Sequence, residues 1–109
     1  MINLGESMKE IIETCKAISA AGTIKDDAKS LEVCFTKTIY RKKHKTIAAI
    51  ALGKKRPYVL WIGHNKLWCS CDDYNYNRRP LNNESGNLMP CKHLRSLAIR
   101  AVIKSSCDA

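Results

Sequence analysis

Two short pairs, Cys69-x-Cys71 and Cys91-x-His93, hold the residues of this chain best suited to chemistry. Three thiols and one imidazole are the donor set of a closed tetrahedral zinc site, where soft sulfur and borderline nitrogen satisfy a d¹⁰ cation without geometric preference. The spacing suits a single ion. In an extended strand alternate side chains share a face, so Leu67-Trp68-Cys69-Ser70-Cys71 can present both sulfurs to the same side. Two helical positions two residues apart lie about 200° apart around the axis. Cys91 therefore belongs at the entry to a helix, just after Pro90, with His93 in its first turn. A helix N-terminus also favours a thiolate over a thiol.

Other readings of these residues stay open. Isolated cysteines are often small buried hydrophobes, and a histidine near a helix start is often a surface group or one with its bonds satisfied inside the fold. That reading leaves the shared geometry of the two pairs to coincidence. A Cys69–Cys71 disulfide is awkward at such close spacing, and the start, Met1-Ile2-Asn3-Leu4-Gly5-Glu6, shows neither the basic nor the apolar part of an export signal. A redox role for the vicinal thiols is a further alternative. Cys15, Cys34 and Cys107 have no pair spacing and read as structural or incidental.

Cys-x-Cys, a variable insert and Cys-x-His is a pattern that resembles the SWIM zinc finger. The chain carries it as Trp68-Cys69-Ser70-Cys71-Asp72-Asp73-Tyr74 and Pro90-Cys91-Lys92-His93-Leu94, and the apolar helix that follows is similar to the family's. The likeness spans residues 58–104 and leaves the first half of the chain without a family signal. It implies one structural zinc ion on Cys69, Cys71, Cys91 and His93 and a binding module rather than an enzyme. SWIM domains act as DNA-binding and protein-interaction elements in chromatin remodellers, transposases and recombination accessory factors. Small stand-alone members resemble Shu-type partners of recombinase paralogues, so the likeness implies DNA repair or recombination. A protein-interaction adaptor that docks a recombinase-like partner without touching nucleic acid is the alternative.

The elements that must position these ligands read as a small α+β domain covering residues 1–109: an N-terminal helix, an antiparallel meander of three or four strands, a zinc-pinned loop and a C-terminal helix. Ser7-Met8-Lys9-Glu10 is a capping box, and Met8, Ile11, Ile12, Cys15, Ile18 and Ser19 then follow helical spacing until Gly22 offers a stop. Thr23 to Ser30 is open between a short helix and a loop. Leu31 to Tyr40 reads as a strand with Val33, Phe35 and Ile39 on one face. Thr46 to Leu52 is a second strand, although its alanines leave helix as an alternative. Gly53 to Pro57 is a turn, Tyr58 to Ile62 a buried strand, Gly63 to Lys66 a hairpin turn, and Leu67 to Cys71 the closing strand. Asp72 to Pro90, nineteen residues, is polar and without period. Leu94, Leu97, Ala98, Ala101 and Val102 form the core face of the last helix, leaving Arg95, Arg100 and Lys104 outward.

Composition narrows the partner. The 109-residue chain carries a formal charge of +9, and at this length it buries roughly 60–70% of its unfolded surface, so a metal would help it fold. Residues 1–36 hold four lysines against six acids, net −2, whereas residues 37–104 hold fifteen Lys and Arg against three acids, net +12. The basic half is the half with the ligands. Such a charge favours a polyanion, nucleic acid being the commonest, though a lysine-rich face can be only a solubilising surface. Candidate phosphate contacts are Arg41, Lys42, Lys43 and Lys45 in one loop, Lys54, Lys55 and Arg56 in another, Arg78 and Arg79 in the insert, and Arg95 on the finger helix. If the meander gathers its loops at one end, they form a groove for phosphates. Tyr74 and Tyr76 could stack exposed bases or simply pack; Trp61 and Trp68 read as core. The longest apolar run, Ile47 to Leu52, is far short of the eighteen or so residues of a membrane span. Unpaired cysteines and no export signal suggest an intracellular protein, cytoplasmic or in the nucleoid or nucleus. No deaminase, phosphate-loop or nucleophile motif is present, so the chain does not read as an enzyme.

Overall fold

The computed structural model describes residues 4–20, 30–53, 55–80 and 88–107. It is an α+β fold: an N-terminal helix, a four-stranded antiparallel sheet and a C-terminal helix. Helix α1 spans Leu4–Ala20 and buries Ile11, Ile12, Cys15 and Ile18, the stripe its periodicity requires. This range already includes Ser7, the residue that the Ser7-x-x-Glu10 spacing puts at the cap. Gly22 and most of the Thr23–Ser30 stretch lie outside the described residues.

The strands are β1 (Phe35–Arg41), β2 (Thr46–Ala51), β3 (Tyr58–Gly63) and β4 (Lys66–Cys69), paired in sequence order as a meander. Residues 46–51 are strand, because Ala49 and Ala51 fill an inner face opposite Leu60 and Tyr58. β1 begins four residues later than the β-branched run starting at Leu31. Its partner strand ends at Ala51, which pairs with Phe35, and the ladder closes on the bond from the Leu52 N–H to the Cys34 carbonyl at 2.9 Å. A bulge between Phe35 and Lys37 then shifts the register. One extra residue moves everything after it to the other face. Phe35 consequently packs on the core while Ile39 is turned to the outer face, and the shared face expected for Val33, Phe35 and Ile39 is broken.

The inner face, with Ile47, Ala49, Leu60, Ile62, Leu67 and Cys69, is covered by α1 and by helix α2 (Lys92–Cys107), which also pack on each other. The β3–β4 turn is tied to α1 by one hydroxyl and by His64, whose Nδ1 lies 3.7 Å from the Glu10 carboxylate. Thr14 donates to the Glu10 carbonyl at 3.2 Å and accepts the Asn65 backbone N–H at 2.9 Å. Asn65 sits at φ 54°, a left-handed conformation that asparagine tolerates. Among the described residues no helix is long and apolar enough to cross a membrane.

Candidate metal centre

β4 delivers Cys69, the residue two beyond it is Cys71, and α2 delivers the other pair. Pro90 and Cys91 precede α2, and the Arg95 N–H bonds the Cys91 carbonyl at 3.0 Å, which places Cys91 at the N-cap and His93 in the first turn. All four side chains are buried, and their ligand atoms lie within 4.8 Å of one another. His93 Nδ1 is 3.9 Å from Cys69 Sγ and 3.8 Å from Cys91 Sγ. Bond lengths of about 2.3 Å to sulfur and 2.0–2.1 Å to nitrogen give a tetrahedron with edges of roughly 3.5–3.8 Å. The cluster has the size and donors for one ion, and its residues can hold a metal.

The local sequence braces this geometry. After Cys71 the chain turns into a helical segment, residues 72–80, whose centre, Tyr74–Arg78, is a π-helix closed by the Arg79 N–H on the Tyr74 carbonyl. Asp72 and Asp73 open it, where carboxylates suit the helix dipole. Asn75 donates its side-chain amide to both the Cys69 carbonyl at 3.1 Å and the Cys71 carbonyl at 2.9 Å. One side chain thus fixes the backbone on either side of Ser70. Tyr74 gives its backbone N–H to Cys71 Sγ at 3.4 Å and its hydroxyl to the Leu67 carbonyl at 3.1 Å. Ser70 crosses to β3, its N–H bonding the Val59 carbonyl and its hydroxyl accepting the Val59 N–H, both at 2.9 Å. The His93 ring rests against Tyr58, centroids 5.1 Å apart, and the Arg56 guanidinium lies 5.9 Å from the Tyr58 centroid.

Proton placement follows from the contacts. Cys69 is pushed up to about 12, first by its hydrogen bond to Cys71 and further by burial. Cys91 is pushed up as well, by hydrogen bonds to Cys69 and then Cys71 and by desolvation. Cys71 is pushed well below the ordinary thiol value, because Cys69 and then Cys91 donate to its sulfur. A metal binds the cysteines as thiolates and must displace the protons they carry, so uptake grows easier as pH rises.

Several residues singled out by sequence stand elsewhere than expected. Arg95 is buried, at 5% exposure, and not outward. Residues 93–98 are all buried, because this half of α2 is enclosed on every side, and no single-stripe pattern applies. Arg100 is exposed as expected, and its guanidinium donates to the Val33 carbonyl at 2.7 Å and lies 4.8 Å over the Phe35 ring. Tyr74 is core and offers no face for stacking, whereas Tyr76 is 77% exposed. The basic loops do not converge at one end. In the meander register Arg41, Lys42, Lys43 and Lys45 sit at the β1–β2 end, with Lys55 and Arg56 at the opposite end, a strand length of roughly 20 Å away. Arg56 pairs there with Asp72 at 3.7 Å, and Arg78 with Asp73 at 3.3 Å. Arg79 is exposed, and Lys54 lies outside the described residues. Sequence reasoning missed Asn75 and Tyr58 as supports of the ligands. The only signal was the helix-opening Asp-Asp-Tyr-Asn run directly after Cys71.

Comparison with known proteins finds no matching family model, no matching curated protein and no matching solved structure.

Proposed function

We propose that this chain is a non-catalytic binding module, held together by one structural zinc on Cys69, Cys71, Cys91 and His93, that acts on DNA. The observation that carries the metal half is the buried cluster of four ligand atoms within 4.8 Å, shared between the end of the sheet and the first turn of α2. Bound there, the ion would act as a cross-link with four protein ligands, leaving no coordination position for water and so no hydrolytic chemistry. The +12 charge of residues 37–104 supports a polyanionic partner. The SWIM-like pairs support DNA, in repair or recombination, inside a compartment reducing enough to keep the thiols free.

Native mass spectrometry of the purified chain should show one zinc per molecule. Retention on DNA should fall linearly in log affinity against log salt, with a slope of about −4 to −6 for roughly five or six phosphates neutralised. An apo chain with unchanged melting would sink the zinc half. No retention even at low salt would sink the DNA half and put the adaptor reading, in which a recombinase-like protein is the partner, in its place.

A further inference from the structure

Helices α1 and α2 pack on the inner face of the sheet. Trp61 pairs with Ala48 on one side and Trp68 on the other, so the three stand in a row across β2, β3 and β4 on the face opposite Leu60 and Cys69. Ile39, opposite Ala48, and Val59, opposite Ile50, widen the row and are 43% and 47% exposed. Directly paired residues have Cβ atoms about 4.5–5.5 Å apart, which puts the two indoles side by side. Both tryptophans of the chain are on this face, each half-buried, Trp68 with part of its side chain against the core cluster.

The charge around that row has one sign. From Val33 to Cys71, through all four strands and their turns, the chain has nine Lys and Arg and no Asp or Glu. At the β1–β2 end of the face, Arg41, His44, Thr46, Trp61 and Lys66 line a cleft of about 240 Å³. The Lys66 stem crosses Gly63 so closely that a Cβ there would come within 2.9 Å of Lys66 Cε. The glycine lets the lysine lie flat over the sheet toward Thr46, beside the indole.

We propose that this face is a stacking platform for single-stranded DNA, with a base on Trp61 and its phosphate between Arg41 and Lys66. The proposal rests on the DNA reading above and adds the surface and the strand state. An indole accepts any base but only an unpaired one, because in a duplex the base faces are already stacked. The face of a four-stranded sheet, roughly 14 Å across at about 4.8 Å per strand spacing, is too broad for a major groove about 12 Å wide, which admits a helix or a two-stranded ribbon. An apolar protein surface docked here would bury Arg41 and Lys66 without counter-charges, a heavy desolvation cost, whereas a nucleic acid strand brings its own.

The test uses the full zinc-loaded chain with a labelled oligothymidine, the blunt duplex of equal length and the matching oligouridine. Oligothymidine should bind at least about tenfold tighter than duplex and quench the tryptophan fluorescence, since both indoles report on this face. Trp61→Leu should weaken oligothymidine binding about 5- to 100-fold with the salt slope unchanged. Arg41→Ala with Lys66→Ala, two exposed residues, should flatten that slope by about one to two units. If Trp61→Leu fails to fold, the wild-type quench and the Arg41/Lys66 pair still decide. Equal or tighter duplex binding, tighter oligouridine binding, or oligothymidine binding without quench overturns the platform and leaves a nucleic-acid reading standing. Absence of binding to all three probes overturns both.

Discussion

The inner and outer faces of the sheet come from the same strands, one residue out of step. Leu60, Ile62, Leu67 and Cys69 point inward and are buried, while Val59, Trp61, Lys66 and Trp68 point outward and keep partial or full exposure. The inner set is aliphatic or sulfur-bearing and lies in the core that two helices cover; the outer set mixes indole, aliphatic and cation, and of it only Trp68 is packed against that core. Period-two alternation therefore separates two tasks along one stretch of chain. Inner-face changes should act on stability and metal, and outer-face changes on contact with partners.

The largest break in that comparison should come from the cluster at the edge of the inner face. Cys71→Ser, or stripping with a chelator, should unfold the chain or drop its melting sharply, because apparent zinc affinity of the order of 10 kcal/mol is largely folding energy at such sites. A variant that melts like the parent while binding no zinc would remove the metal from the account of stability. Next comes Leu60→Ala, fully buried, expected to cost about 2–5 kcal/mol in urea unfolding. Its neighbour Val59→Ala should cost under about 1 kcal/mol, since the side chain is half exposed. Equal costs at the two positions would mean that the outer face is covered after all.

Asn75→Ala should cost about 1–3 kcal/mol, because its amide serves two carbonyls beside the ligands. It should also weaken zinc about 10- to 100-fold, as loss of a support behind a ligand commonly does. Competition with a chromogenic chelator measures this, and unchanged affinity would reduce Asn75 to a loop brace. The smallest effect concerns Cys15, whose thiol is pushed up to about 12 by burial. The folded chain then binds the proton more tightly than the unfolded chain. This contribution is present in full below about pH 9 and is lost as pH climbs toward 12. Cys15→Val should therefore flatten the alkaline fall in stability, read from urea melts at about pH 8 and about pH 10.5; an identical fall would assign it to other groups.

What the sequence revealed was whatever depends on local period. The ligand pairs, the meander, the stripe of α1 and the N-cap place of Cys91 all follow from alternation, helical spacing or a proline. What it hid depends on partners far along the chain. The end of β2 decides where β1 begins, and a bulge after Phe35 decides which way Ile39 faces. Arg95 is buried because the first half of α2 is enclosed all round, which no single-helix pattern encodes. The 72–80 helix was obscured by its polar residues, whose reward lies in bonds to Cys69, Cys71 and Asp73. Trp61 and Trp68 are large enough to read as core from any sequence; Trp68 does pack against the core, while Trp61, paired with it on the same face, is half-buried outside the cluster.

The packing of α1 on α2 has a consequence for how the molecule is born. The two helices that roof the inner face stand at opposite ends of the described chain, and α2 also carries His93 and the Arg100 that bonds Val33. During synthesis α1, the strands and the Cys69–Cys71 pair all emerge before α2 completes that roof. Until α2 emerges, the nascent chain presents a half-covered aliphatic sheet face and a pair of open thiols to the cell. Closure must span most of the chain at once, the kind of distant contact that slows folding and exposes a chain to wrong partners. Chaperone dependence, more than final stability, is where this topology should make itself felt.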